Sequence, residues 1–265
     1  MASYTHGHHE SVLRSHEWRT AENSAAYLLP HVRPGLSLLD VGSGPGTITL
    51  DLAARVAPGH VTGVDTAPAI VEKAATLVLE TGVRNVDFVV DDAYALDAAD
   101  DAFDIVHAHQ VLQHLERPVD ALREFRRVVK RDGLVAARDV DYEGVIWYPL
   151  IPALDEWLEV YLATHRGSSG EPAAGRRLKA WAREAGFAEV VSSATSWLFE
   201  DAADRAWWGG MWADRVVASD FARRAIDLGV ADHEVLERIS AGWREWAASE
   251  DGWLLMPHGE IIARG

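Results

Sequence analysis

The stretch LLDVGSGPGT at residues 38–47 decides how the rest of the chain reads. A short apolar strand runs into Gly42-Ser43-Gly44-Pro45-Gly46, and helical periodicity starts directly after it. Glycines in such a turn let the backbone bend tightly and approach a ligand that a Cβ would hold off. The helix beyond offers unpaired N–H groups and a partial positive charge to an anion, a pyrophosphate or a carboxylate. A dinucleotide fingerprint asks for a third small residue where Thr47 stands. Asp40, before the first glycine, either orients backbone amides or touches the ligand.

The next strand ends in Gly63-Val64-Asp65, an acid placed to accept hydrogen bonds from ribose hydroxyls. That feature fits a nicotinamide dinucleotide equally well. The third strand adds Phe88-Val89-Val90-Asp91-Asp92-Ala93. Asp92 is placed to accept from an adenine amino group and the Ala93 N–H to reach a ring nitrogen, while Asp91 reads as a solvated neighbour.

Outward from these motifs, apolar β-branched runs alternate with helical periods. Strands are expected at Ser37–Val41, 60–64, Val86–Val90, 103–108, from 133, at 189–194 and at 252–263, where Pro257 suggests a bulge or a late start. Helices are expected at Thr47–Val56, 68–80, 118–130, much of 148–165, 176–185 and within 200–250. Strands separated by helices in regular alternation imply an α/β fold, a parallel sheet with helices on both faces.

Together these segments resemble the class I S-adenosylmethionine-dependent methyltransferases. LLDVGSGPGT matches that family's first motif, VTGVDTA its second and VDFVVDDAYAL its adenine-binding segment. FDIVHAHQVLQHLERP looks like the fourth-strand segment of the ubiquinone/menaquinone-biosynthesis-like small-molecule branch. The chain departs from it at Asp91-Asp92-Ala93, where Gly-Asp-Ala is more usual. The resemblance implies a Rossmann-like, seven-stranded, mostly parallel sheet with an antiparallel last strand. It also implies a helical N-terminal extension and a helical insertion before the last strand. Residues 1–33 are then expected as a helical lid and 34–265 as the methyltransferase domain, with substrate-side helical insertions at 141–175 and 200–250.

Carried over residue by residue, the resemblance places Gly42, Ser43 and Gly44 around the methionine moiety of S-adenosylmethionine. Asp65 takes the ribose, Thr66 lies beside the adenine, and Asp92 and Ala93 read its edge. His109 lies near the sulfonium, and Tyr4 belongs to the lid over the cofactor. The product would be S-adenosylhomocysteine. A general base is needed only for an acceptor that arrives protonated, and His109 and His114 are the candidates because histidine titrates near neutrality. Asp139, Asp141, Trp147, Trp197, Trp207 and Trp212 lie where this fold meets its acceptor, and large aromatics there could line an apolar pocket.

Composition narrows the function classes. The 265 residues carry a net charge of −16, which disfavours phosphate-backbone binding and hence nucleic-acid partners. With no cysteine there is no disulfide, thiolate metal site or cysteine nucleophile. Tyr4, His6, His8, His9 and His16 lack a His-Glu-x-x-His spacing, so no metal is expected. The first residues lack the basic and apolar regions of a signal peptide, and no run is long enough to span a bilayer. A cytoplasmic protein with no membrane partner is therefore expected, its oligomeric state open and a homodimer among the options. Ten of the eleven tryptophans lie after residue 140, which suggests that this part shapes the site of a small aromatic, quinone-like or natural-product acceptor. The alternatives are an NAD-dependent oxidoreductase, which Thr47 and the lack of a Tyr-x-x-x-Lys motif disfavour, and a non-catalytic cofactor-binding regulator.

Overall fold

In a computed structural model, residues 18–265 are described. Five parallel strands form the centre: β1 (Ser37–Val41), β2 (His60–Asp65), β3 (Val86–Val90), β4 (Phe103–His109) and β5 (Val129–Val140). They lie in the order β3-β2-β1-β4-β5. Registers such as Asp40 opposite His107 and His109 opposite Arg138 bring the strand ends to a common level. The sheet continues with β8 (Trp253–Arg264), antiparallel to β5, and with β7 (Glu189–Phe199), antiparallel to β8 on its other edge. A short strand absent from the expected seven, β6 (Ile146–Tyr148), pairs with the start of β8. Among the described residues the sheet thus has eight strands, and the last strand is antiparallel as the resemblance implied.

The connecting helices are α2 (Thr47–Val56), α3 (Pro68–Thr81), α4 (Pro118–Val128) and α6 (Ala174–Glu184). Between strands that must be parallel the chain has to cross over, and amphipathic helices do this while covering the sheet. On α4, Ala121, Leu122, Phe125 and Val128 recur at helical spacing and are fully buried beside Leu178 and Ala182 of α6. On the opposite face Leu52, Ala53 and Val56 of α2 pack with Ala21 of α1 (Ala21–Ser24) and with Ala25 and Leu28. The described part of the N-terminal extension, from Trp18 to the 3₁₀ turn Leu29–His31, is therefore seated on the domain. Residues 1–17 lie outside the described residues, and so do Tyr4, most of the expected lid and the histidine cluster.

A third core belongs to the later helices: α5 (Pro152–Gly167), α7 (Ala202–Ala218), α8 (Asp220–Asp227) and α9 (His233–Ala248). The last three form the expected insertion before the last strand. Trp157 sits at the centre of this cap with its ring centroid 4.9 Å from Trp212 and 4.8 Å from Trp243, both edge-on.

Three larger departures from the sequence expectation each have a physical reason. The helix over 118–130 stops at Val128 because Val129 pairs with Phe103 and Lys130 reaches Asp104 at 2.8 Å. The register then slips before Ile105 meets Leu134, so the start of β5 is bulged rather than helical. β7 runs on to Phe199 because β8 offers it eleven consecutive partners. Pro257 neither bulges nor delays β8. Its carbonyl accepts from the Asp141 N–H at 2.9 Å, toward the gap between β5 and β6. A strand residue's N–H points to the same side as its C=O, so the donor that proline lacks faces that gap and no ladder bond is lost.

Removing the central indole tests the cap. Trp157→Ala should lower the free energy of unfolding by about 3–5 kcal/mol in a urea titration, whereas Leu79→Ala, at an exposed site, should change it by under about 0.5 kcal/mol.

Candidate active site

A cavity of about 250 Å³ opens at the carboxyl ends of β1, β2 and β4, beside the point where strand order reverses. Ligands bind at such switch points because the helices on either side leave the sheet in opposite directions. Its floor is the turn after β1. Gly42 and Gly44 take φ of +68° and +56°, a left-handed region that disfavours residues with a Cβ. A Cβ on Gly42 would come within 2.4 Å of the Val111 side chain across the cavity wall. Gly46, with φ +93°, serves packing instead. A Cβ there would meet the Phe88 ring at 2.6 Å, so this glycine lets α2 settle against β3.

Beneath the turn, the buried Asp40 spends both carboxylate oxygens on the protein. His107 Nδ1 of β4 lies 2.7 Å from one oxygen, and the Thr49 hydroxyl of α2 donates to the other at 2.6 Å. Neither sequence reading of Asp40 included these partners, because the pairing with His107 exists only once β1 and β4 are neighbours. Asp40 nevertheless also borders the cavity.

Asp65 closes the next corner. Its carboxylate accepts from the Gly44 N–H at 3.2 Å and the Ala67 N–H at 3.0 Å. Each oxygen keeps a lone pair for a further donor, as recognition of two neighbouring hydroxyls requires. Thr66, Asp92 and Ala93 line the same end, together with the apolar Val64 and Ile70. Asp91 is more than a solvated neighbour: it accepts from the Asp92 N–H at 2.8 Å and the Asp97 N–H at 3.0 Å and so shapes this loop.

At the far end stand Arg19, His109, Gln110, Val111, His114 and Leu115. Among the described residues neither ring nitrogen of the buried His109 has a hydrogen-bond partner, nor has the Ser43 hydroxyl. Burial, reinforced by the charges of Arg19 and Arg138, pushes His109 well below the usual histidine range, so its ring is neutral at neutral pH. His114 also lines the cavity, in a 3₁₀ turn (Leu112–His114) rather than on a helix. Its ring centroid is 5.2 Å from that of His165, and burial lowers its pKa well below the usual range too.

The residues expected to line an acceptor site stand mostly elsewhere. Trp212 is fully buried in the cap, stacked at 5.9 Å on Trp243, and Trp147 packs against Trp157. Trp207 packs on Trp18 at 5.3 Å. Asp141 is ion-paired at the surface with Arg176. Asp139 is buried behind the wall, where it accepts from the Gln113 N–H at 3.3 Å, and burial pushes its pKa up to about 8. None of these five lines the cavity. In each case packing or pairing within the protein outweighed exposure to a ligand. Trp197 comes nearest, 5.8 Å from His109 and 4.4 Å from His258, with its Nε1–H donating to the Asn23 carbonyl at 2.7 Å. Arg19 and Gln110 were missed, since both reach the cavity through contacts between distant segments.

The arrangement is a Rossmann-like sheet with a cavity at its switch point: a glycine floor, an acid with lone pairs to spare, an acidic loop and a terminal chamber with neutral imidazoles. A family of methyltransferase domains matches residues 33–186. An uncharacterized methyltransferase of Schizosaccharomyces pombe is 33% identical over 98% of this chain and 95% of its own. The crystal structure of the YcgJ protein of Bacillus subtilis superposes with a TM-score of 0.60 at 23% identity, covering 92% of this chain and 99% of that one. A Haemonchus contortus phosphoethanolamine N-methyltransferase, solved with phosphomonomethylethanolamine and S-adenosylhomocysteine, gives 0.58 at 16% identity over 92% of this chain and 52% of that one. The chain belongs to the class I S-adenosylmethionine-dependent methyltransferases. Its cofactor is S-adenosylmethionine, and the cavity fits it in kind: acids for hydroxyls, glycines for close approach, and unpartnered buried polar atoms at the far end. The family match leaves the oxidoreductase alternative without support. No helix among the described residues is long and apolar enough to cross a membrane.

The bond network under the floor carries a stability prediction. Asp40→Ala strands the His107 and Thr49 donors in the interior and should lower the unfolding free energy by about 3–5 kcal/mol, measured by denaturant titration.

Proposed function

We propose that this methyltransferase acts on a small acceptor, aromatic or quinone-like, bearing an ionisable hydroxyl that lies against His109. The observation that carries this reading is a buried, neutral His109 with both ring nitrogens unpartnered among the described residues at the end of the cavity. In this reading Gly42, Ser43 and Gly44 surround the methionine moiety, Asp65 holds the ribose, and Thr66, Asp92 and Ala93 hold the adenine. Bound there, the cofactor supplies an activated methyl group on a sulfonium. The protein's part is to align the acceptor, exclude water and manage one proton. His109 accepts a hydrogen bond from the acceptor hydroxyl and takes its proton as the oxygen or ring carbon becomes nucleophilic. His114 lies near enough in the same wall to orient the acceptor. Burial keeps both imidazoles in the form that can accept a proton. An intact cavity floor favours this over a non-catalytic regulator.

Two measurements test it. Asp65→Ala should weaken S-adenosylhomocysteine binding about 10–100-fold by calorimetry, with Asp141→Ala unchanged, and equal affinities in all three proteins would remove Asp65 from the site. With a hydroxyl acceptor found by a labelled-methyl screen, kcat should stay level from about pH 6.5 to about 8 and fall only in more acid solution, as His109 is protonated. His109→Ala should lower that kcat about 100-fold, and undiminished turnover in the variant would sink the proton-acceptor role.

A further inference from the structure

The residue directly after strand β4 is of the wrong hand. Gln110 takes φ +54° although it is not glycine, and its N–H donates to the Arg138 carbonyl at 2.7 Å. Such a conformation costs free energy and persists only where the surroundings impose it. Successive side chains on a strand point to opposite faces, but after this left-handed step both His109 and Gln110 line the cavity.

The side chain of Gln110 joins two distant parts of the chain, and elementary donor–acceptor chemistry orders the links. A guanidinium can only donate, so Arg19 Nη2 donates to Gln110 Oε1, at 2.8 Å. That leaves the amide NH₂ facing His258 Nε2 at 2.9 Å, and an amide nitrogen can only donate. His258 Nε2 therefore carries the lone pair and Nδ1 the proton, which it donates to the Met256 carbonyl at 3.0 Å. The result is an unbroken donor-to-acceptor chain from Arg19 through Gln110 and His258 to Met256. The His258 ring lies nearly parallel to that of His109, 6.4 Å away.

We propose that Gln110 is a positioning residue for methyl transfer: its amide ties Arg19 of the N-terminal segment to His258 of β8 and so sets the polar wall beside His109. The proposal rests on the His109 end being the acceptor end. Glutamine is specifically required, because the link needs an acceptor toward Arg19 and a donor toward His258. The charged and titratable groups facing His258 are Arg19 from the N-terminal segment, Arg138 from β5 and His109 from β4, with Glu260 on its own strand paired to Arg138. Burial and Arg138 keep His258 neutral while the amide donates to it. A glutamate at position 110 offers no donor, so His258 would have to gain a second proton to keep the contact.

The test is nitrogen NMR on the full chain with labelled histidine and bound S-adenosylhomocysteine, from about pH 5.5 to about 8. The expected wild-type signature is a neutral His258 with its proton on Nδ1 throughout. In Gln110→Glu both nitrogens should be protonated through about pH 7. Gln110→Gly, which suits the left-handed φ and removes the side chain, keeps the question open to test should the glutamate variant fold poorly. It should lower kcat about tenfold, the worth of one hydrogen bond to a charged group, while still binding S-adenosylhomocysteine. An unchanged His258 signature in Gln110→Glu, or full kcat in Gln110→Gly, overturns the proposal. The NMR signature needs no acceptor, and a His109→Ala variant that loses turnover while the Gln110 variants keep it would defeat this proposal alone.

Discussion

Everything at the cofactor end hangs on one buried carboxylate. Asp40 joins β1 to β4 through His107 and to α2 through Thr49, and those three elements enclose the glycine turn. A charge or strong dipole this deep is tolerated only when its lone pairs are satisfied. The fold meets that demand by placing the two partners where β1 and β4 become neighbours and α2 begins its first turn. The same requirement holds the strand ends in register, which puts Asp65 on one side of the turn and His109 on the other. The site is thus a consequence of how the sheet satisfies its own interior.

The two ends of the cavity are built by different means. At the Asp65 end backbone amides and acids order the wall: the Gly44 and Ala67 N–H groups fix Asp65, and Asp91 fixes the loop carrying Asp92 and Ala93. Few side chains there have rotameric freedom to lose. The other end is built from imidazole, amide and guanidinium groups drawn from residues 19, 109, 110, 114 and 258. Such a wall depends on long-range assembly, and its polarity depends on which nitrogen holds which proton.

That difference explains what could be read from the sequence alone. β1, β3 and α2 have the bounds expected of them: β1 is a buried apolar run that ends in the glycine turn where α2 begins, and β3, half exposed at the sheet edge, is still a short β-branched run. Gly42, Asp65 and Ala93 were placed at the site because local backbone geometry dictates their residue types. Gln110 was not, since its left-handed φ and its bonds to Arg19 and His258 are invisible to local pattern. Trp147, Trp207 and Trp212 stand away from the cavity for another reason. A large apolar side chain suits a ligand wall and a packed interior equally, and only three-dimensional packing shows that these indoles mainly face other rings.

The aromatic cap has a consequence for how such a chain can diversify. Trp157, Trp212, Trp243 and Trp246 interlock so closely that altering one shape demands matching changes in its neighbours. On the proposed reading, new acceptor preferences would therefore arise with difficulty in the cap interior and more readily at its seam with the sheet, where Arg19 and His114 border the cavity and Arg19 lies over Trp197. A lineage built on this scaffold could keep its tryptophans for stability and evolve its chemistry along that seam.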